Sequence, residues 1–187
     1  MLMPAGELQN ILFLLATAEP PELGPGPRAG VEPEPVLNGK LNGSFSRSKL
    51  PAANQELIRA LVLLWHDHLD AAHVISQNLE TPDGSFVHGI VHRREPDYSN
   101  AKYWFRRVGK HPVLAKIPER AAPVLEASKS PDLPAQLIPR GAWDACGFVD
   151  ACEKAARKSN PESEILRQLQ RIETEALLAE FCSVPLK

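Results

Sequence analysis

All six histidines of this chain, His66, His68, His73, His88, His92 and His111, fall within 46 consecutive residues of its 187. An imidazole titrates near neutral pH and offers a nitrogen lone pair to a metal ion, so this clustering is the strongest chemical signal in the sequence. His88 and His92 stand four residues apart, which on a helix turns both rings to one side. His66, His68 and His73 border the preceding helical segment, and Asp67, Asp70, Glu95 and Asp97 supply carboxylates near them. The metal candidates are therefore His66, His73, His88 and His92, with a divalent ion as the cofactor they imply. The candidates for acid/base work are His88, His92, Glu95 and Asp97. No glutamate follows His88, so the H-E-x-x-H pattern of metalloproteases is absent. A structural account competes with the chemical one: polar residues between packed helices are normally held by one or two hydrogen bonds, and buried, satisfied histidines would cluster in the same way.

A second constellation begins at the last histidine of that pair and runs His92-Arg93-Arg94-Glu95-Pro96-Asp97-Tyr98-Ser99-Asn100-Ala101-Lys102-Tyr103-Trp104-Phe105-Arg106-Arg107. Guanidinium forks beside aromatic faces suit phosphate or carboxylate, through paired hydrogen bonds and stacking. This makes Arg93, Arg94, Tyr98, Asn100, Lys102, Tyr103, Arg106 and Arg107 the ligand-binding candidates. Residues 85–112 hold six Lys and Arg against two acidic residues, a local +4 in a chain whose net charge is −2. That imbalance favours an acidic peptide, protein or small anion as partner. Extended nucleic-acid binding is disfavoured, because the basic stretch is short and the remainder of the chain is acidic. The structural alternative pairs Glu95 or Asp97 with Arg94 or Arg106 and uses Asp97 to cap the next helix.

The elements that must position these groups are helical. Leu57, Ala60, Leu61 and Leu64 repeat at i, i+3, i+4 and i+7, which predicts a helix over 56–65, and a second follows over 69–79, stopped by Pro82 and Gly84. A third helix is expected over 85–94 and a fourth over 98–108, closed by Gly109 and Pro112. A shift of 29 residues relates the two pairs, matching Ala60 with Gly89, Leu69 with Tyr98, Ala72 with Ala101 and Ile75 with Trp104. Small residues let paired helices approach and large ones fill the groove between them.

Before this repeat, residues 1–18 read as a docking helix with Leu8, Leu12 and Leu15 on one face and Pro4 in its first turn. Residues 19–53 carry seven prolines, five glycines and two Asn-Gly pairs, at Asn38 and Asn42, and read as a long loop. After it, residues 113–141 read as a Pro-rich connection with one short helix near 119–126. Residues 142–187 form two helices, the first holding Trp143, Phe148 and Cys152, the last striped by Ile165, Leu169, Ile172, Ala176, Leu177 and Phe181. The expected architecture is a single all-α domain of two central hairpins over 54–112 with flanking capping helices.

Gly89, Asp97-Tyr98, Ala101, Trp104, Phe105 and Pro112 resemble one tetratricopeptide repeat, although the period here is 29 rather than 34. The run from Leu64 to Pro112, with Trp65-His66-Asp67, Asp70, Ala72-His73 and Gln77 and an echo at Trp143-Asp144 and Phe148-Val149-Asp150, also resembles an uncharacterised family of bacterial and fungal proteins. That resemblance implies kinship and no activity.

Cys146, Cys152 and Cys182 are odd in number and lack C-x-x-C spacing, which suits ordinary thiols in a reducing compartment. The longest apolar run, Ile11 to Ala16, is shorter than the roughly 20 residues of a membrane span, and a cytoplasmic protein without a secretory signal is expected. Two function classes emerge. The favoured one is a helical-repeat binding module that presents Arg93, Arg94 and nearby aromatics to an acidic peptide or small anion. The alternative is a histidine-dependent, metal-assisted hydrolase built on His88 and His92.

Overall fold

The computed structural model describes residues 5–128, 130–156 and 162–183. Its described residues are all-helical. Ten α-helices follow in order: α1 Ala5–Phe13, α2 Glu34–Phe45, α3 Ala52–Trp65, α4 Leu69–Ser76, α5 Pro82–Arg94, α6 Tyr98–Val108, α7 Pro112–Ala127, α8 Leu133–Leu137, α9 Ala145–Ala156 and α10 Ser163–Phe181. None of the helices among these residues is long and apolar enough to cross a membrane.

The centre is two helix pairs, α3 with α4 and α5 with α6, and α4 also packs on α5. Small residues set the spacing within the second pair. A Cβ added to Gly89 would stand 3.0 Å from three ring carbons of Phe105, so α5 and α6 meet more closely there than a side chain permits. Ala60, Ala72 and Ala101 are fully buried at the matching seams. Helix α5 is buried along nearly its whole length, from Gly84 to Arg94, and is the central rod of the molecule. Around it, α10 packs on α3 and α7, and α9 on α6. Leu166, Leu169, Leu177, Leu178 and Phe181 of α10 close the core.

Three stretches depart from the expected elements. Residues 34–45, read as loop, are helix α2. Leu37, Leu41 and Phe45 recur every four residues and are buried, while Gly39 and Gly43 look into open space. Burial of that stripe outweighs the poor helix propensity of the two Asn-Gly pairs. Residues 112–127 form one 16-residue helix despite Pro118 and Pro123 within it. Pro112 occupies the first turn, where a missing N–H costs nothing, His111 caps it by accepting from the Val113 N–H at 3.2 Å, and Val113, Ile117, Ala121 and Leu125 are buried at i+4 intervals. Pro82, expected to stop α4, instead opens α5 behind Thr81, whose hydroxyl accepts from the Gly84 N–H at 3.0 Å. Gly84 is required there, since an added Cβ would lie 2.0 Å from the Leu79 carbonyl oxygen.

The N-terminal segment before α2 is strapped to the turn between α3 and α4. Asp67 holds that turn in left-handed backbone, φ 64°, and its carboxylate accepts from the Arg28 N–H at 2.9 Å and from Arg94 Nη2 at 2.7 Å. The Arg28 guanidinium donates to the Trp65 carbonyl.

Candidate metal centre

Helix α5 places His88 and His92 one turn apart, and the α4–α5 packing brings His73 against them. The rings of His88 and His92 stack at 4.6 Å, and His73 stands edge-on to both, at 4.7 and 4.8 Å. One ligand atom from each of the three lies within 4.8 Å of the others. From the opposite side Trp104 of α6 stacks on His88 at 4.1 Å, fixing the ring plane.

Hydrogen bonds define the lone pairs. His73 Nδ1 lies 2.9 Å from Glu95 Oε1, so it carries the proton and leaves Nε2 as an acceptor. His88 Nε2 lies 3.0 Å from that atom and donates to it. His88 Nδ1 is then a bare nitrogen, buried and without a hydrogen-bond partner. His92 Nδ1 is 3.1 Å from Glu95 Oε2 and 3.9 Å from Asp97 Oδ2. This atom too is buried, and it faces the Glu95 carboxylate at contact distance without meeting hydrogen-bond geometry. The other His92 nitrogen, Nε2, accepts from the Asn100 side-chain amide at 3.1 Å, which places the proton of the neutral ring on Nδ1, facing Glu95.

Burial disfavours the charged form of His88 and His92. His88 and His92 are 4% and 6% exposed. Desolvation, reinforced by the neighbouring imidazoles His92 and His73, pushes His88 down to about 4. Desolvation also lowers His92, against the opposing pull of Glu95. A metal ion binds the neutral form of imidazole, so burial that disfavours the imidazolium favours a metal here. Glu95, which orients His73 from outside, plays the part of the carboxylate that commonly backs a metal-bound histidine.

Glu95, the partner of His73, also lines a cleft of about 580 Å³ between the strap and α4, together with Pro25, Pro27, Glu34 and residues 67–71. No protein-family model, curated protein or solved structure matches this chain. The functional argument therefore rests on the geometry.

The other candidates separate. His66 is not part of the cluster: it accepts from the Glu32 N–H at its Nδ1 and donates from Nε2 to the Leu14 carbonyl at 2.7 Å, a neutral ring that pins the strap. His68 Nε2 bonds the Glu32 carbonyl at 2.8 Å, and His111, the cap of α7, donates to Asp83 at 2.6 Å. Asp97 caps α6 by accepting from the Asn100 N–H at 3.3 Å, as the structural alternative had it.

Arg93 and Arg94 are corrected outright as surface ligands. Arg93 is wholly buried, donates to Glu173 at 2.6 Å and lies 4.4 Å from the ring centre of Phe148. Arg94 is 2% exposed and spends its guanidinium on the Gly24 and Leu64 carbonyls and on Asp67. Neither guanidinium is presented at the surface.

Of the remaining anion-binding candidates, Tyr98 packs partly buried against the core, Asn100 serves His92, and Lys102 pairs with Asp150 at 2.7 Å. Tyr103, Arg106 and Arg107 stay exposed, with Arg107 lying over the Trp104 and Tyr103 rings. Sequence reasoning missed Glu34 and the strap prolines, because only the folded strap carries them to the cleft.

Proposed function

We propose that this protein is a metal-dependent hydrolase in which His73, His88 and His92 hold a divalent transition-metal ion and Glu95 orients them. The observation that carries the reading is the convergence of His73, His88 and His92 on one point, with His88 Nδ1 and His92 Nδ1 buried and not hydrogen-bonded, and with Glu95 linking the cluster to an open cleft.

Three protein ligands rather than four characterise catalytic zinc sites, whose remaining position takes water or substrate. An ion held here would polarise water for attack on an ester, amide or phosphate bond. The chain's own residues set up that chemistry. Glu95 fixes the His73 tautomer so that Nε2 faces inward. Movement of the His88 proton from Nε2 to the bare Nδ1 frees a second inward lone pair. Trp104 holds the His88 ring in plane, and Asn100 tethers His92. In hydrolysis the water oxygen joins the electrophilic carbon or phosphorus, the bond to the leaving group breaks, and one water proton ends on the leaving group.

The test is elemental analysis of untagged protein purified without chelator, coupled to a hydrolysis assay on p-nitrophenyl acetate and p-nitrophenyl phosphate. The expected result is about one equivalent of a divalent transition metal, and turnover abolished by chelator and restored by the ion. Wild-type protein that takes up no metal when Zn²⁺, Fe²⁺, Mn²⁺ or Co²⁺ is supplied would sink the reading.

A further inference from the structure

Between α6, α7 and the start of α9 lies a pocket of about 140 Å³ whose lining includes no residue of the histidine cluster. Phe105 and Val108 of α6, Leu114 of α7, and Trp143 and Ala145 give it apolar walls. Leu114, Asp144 and Cys146 are half-buried and carry it to the surface. A cavity of roughly 150 Å³ takes one benzene-sized ring, so this pocket has room for a single phenylalanine or leucine side chain. Its one carboxylate is already engaged: Asp144 accepts from the Gly147 N–H at 2.9 Å at the start of α9.

The rim beside this socket is positively charged. Arg106 follows Phe105 in the chain and Lys110 lies two residues beyond Val108; both are exposed, and neither has a hydrogen bond or ion pair among the described residues. Cations to either side are paired, Lys102 with Asp150 and Lys116 with Glu180. Burial pushes the Cys146 thiol up and Asp144 adds to that, while Arg106 pulls it back, so the guanidinium is within electrostatic reach of the pocket. The helix dipole favours cations at the end of α6, but it does not account for the apolar socket next to them.

An apolar socket with unpaired cations at its edge is the complement of a peptide that carries one bulky apolar residue among carboxylates. Nucleic acid fits less well, because the pocket's walls are apolar and the chain's net charge of −2 repels an extended polyanion. We propose that this face docks an acidic peptide segment of a partner protein, which seats one phenylalanine or leucine side chain in the pocket and sets its neighbouring carboxylates against Arg106 and Lys110. The anchor supplies most of the affinity, as a side chain seated in a desolvated pocket does, and the two cations set the choice of partner. The surface shares no residue with the histidine cluster, so it stands whether or not the protein binds metal.

The experiment is phage-display selection of random peptides on the immobilised full chain, followed by fluorescence anisotropy of the selected peptides. The expected sequences carry a phenylalanine or leucine with aspartate or glutamate on both sides. Replacing that anchor by alanine is expected to weaken binding at least tenfold. Arg106→Gln and Lys110→Gln together are expected to weaken it about fivefold, exposed ion pairs being individually weak, and raised salt is expected to act in the same direction. Arg47→Gln, exposed beyond the end of α2, leaves affinity unchanged. Bound peptide is also expected to slow iodoacetamide modification of Cys146, which locates it at the pocket. All the substituted residues are exposed, so the variants are expected to fold, as circular dichroism checks. Failure to select any peptide, selected peptides without acidic residues, an affinity indifferent to the double substitution, or a Cys146 that stays equally reactive overturns the proposal. So does a single-stranded oligonucleotide that binds more tightly than the selected peptides and weakens in the double variant, or self-association of the chain that the double variant abolishes.

Discussion

Replacing Arg93 by methionine should destabilise the protein severely, and the size of the loss follows from its surroundings. The guanidinium and its partner Glu173 are both fully buried, 2.6 Å apart, and among the described residues the carboxylate also accepts from Trp143 Nε1, at 3.2 Å. Burial disfavours the arginine's charge, but Glu173 and the nearby Cys152 raise its affinity for the proton on balance. Arg93→Met keeps most of the side-chain volume against Phe148 and Phe105, so the main cost is an uncompensated carboxylate in the core. Removing one partner of a buried pair costs about 3–5 kcal/mol. For a domain of this size each kcal/mol moves the Tm by about 2–4 °C, so the melting temperature should drop by about 6–20 °C. The double variant Arg93→Met with Glu173→Leu should recover much of that loss, because no uncompensated charge then remains at that position. Urea denaturation of the four proteins in the cycle measures both terms. An Arg93→Met loss below about 1 kcal/mol, the range of an exposed pair, would refute the buried-pair argument.

Further outcomes follow from the same geometry. Gly84→Ala should cost several kcal/mol or prevent folding, because the new methyl would collide with the Leu79 carbonyl. Gly39→Ala, facing open space within α2, should stabilise by about 0.5–1 kcal/mol, and paired urea curves compare them. His66 has its affinity for a proton lowered, chiefly by burial. Below the ordinary histidine value of about 6.5 the unfolded chain therefore takes up the proton first. Stability should fall as pH drops through that range, and the fall should be shallower in His66→Gln, as read from Tm against pH. Zn²⁺ at about a hundred times its Kd should stabilise the wild type by about 2.7 kcal/mol, seen as a rise in Tm that His88→Ala abolishes.

The sequence showed the elements whose apolar spacing is uninterrupted. Helices α3, α5, α6 and α10 were legible because Leu57 to Leu64, the α5–α6 register and the stripe of α10 announce themselves at helical period. Helix α2 was hidden by its Asn-Gly pairs, and α7 by Pro118 and Pro123. In both, long-range burial of residues four apart overrides local preference. The pairing of His88 with His92 was readable from spacing, and His73 from the expected hairpin, so the core of the site was visible.

What was not visible is burial. Arg93 and Arg94 look like a surface fork in sequence, and only the distant Glu173, 80 residues on, and Asp67 on another turn reveal them as interior groups. His66 likewise depends on Leu14 and Glu32, whose backbone positions no local pattern encodes.

The central claim is that His73, His88 and His92 hold one metal ion, and anomalous diffraction from a crystal grown with Zn²⁺ tests it most directly. The account predicts an anomalous peak within about 2.1 Å of a ring nitrogen of each of the three histidines. Density elsewhere on the surface, with the cluster empty and the His73–His88 hydrogen bond intact, would contradict it.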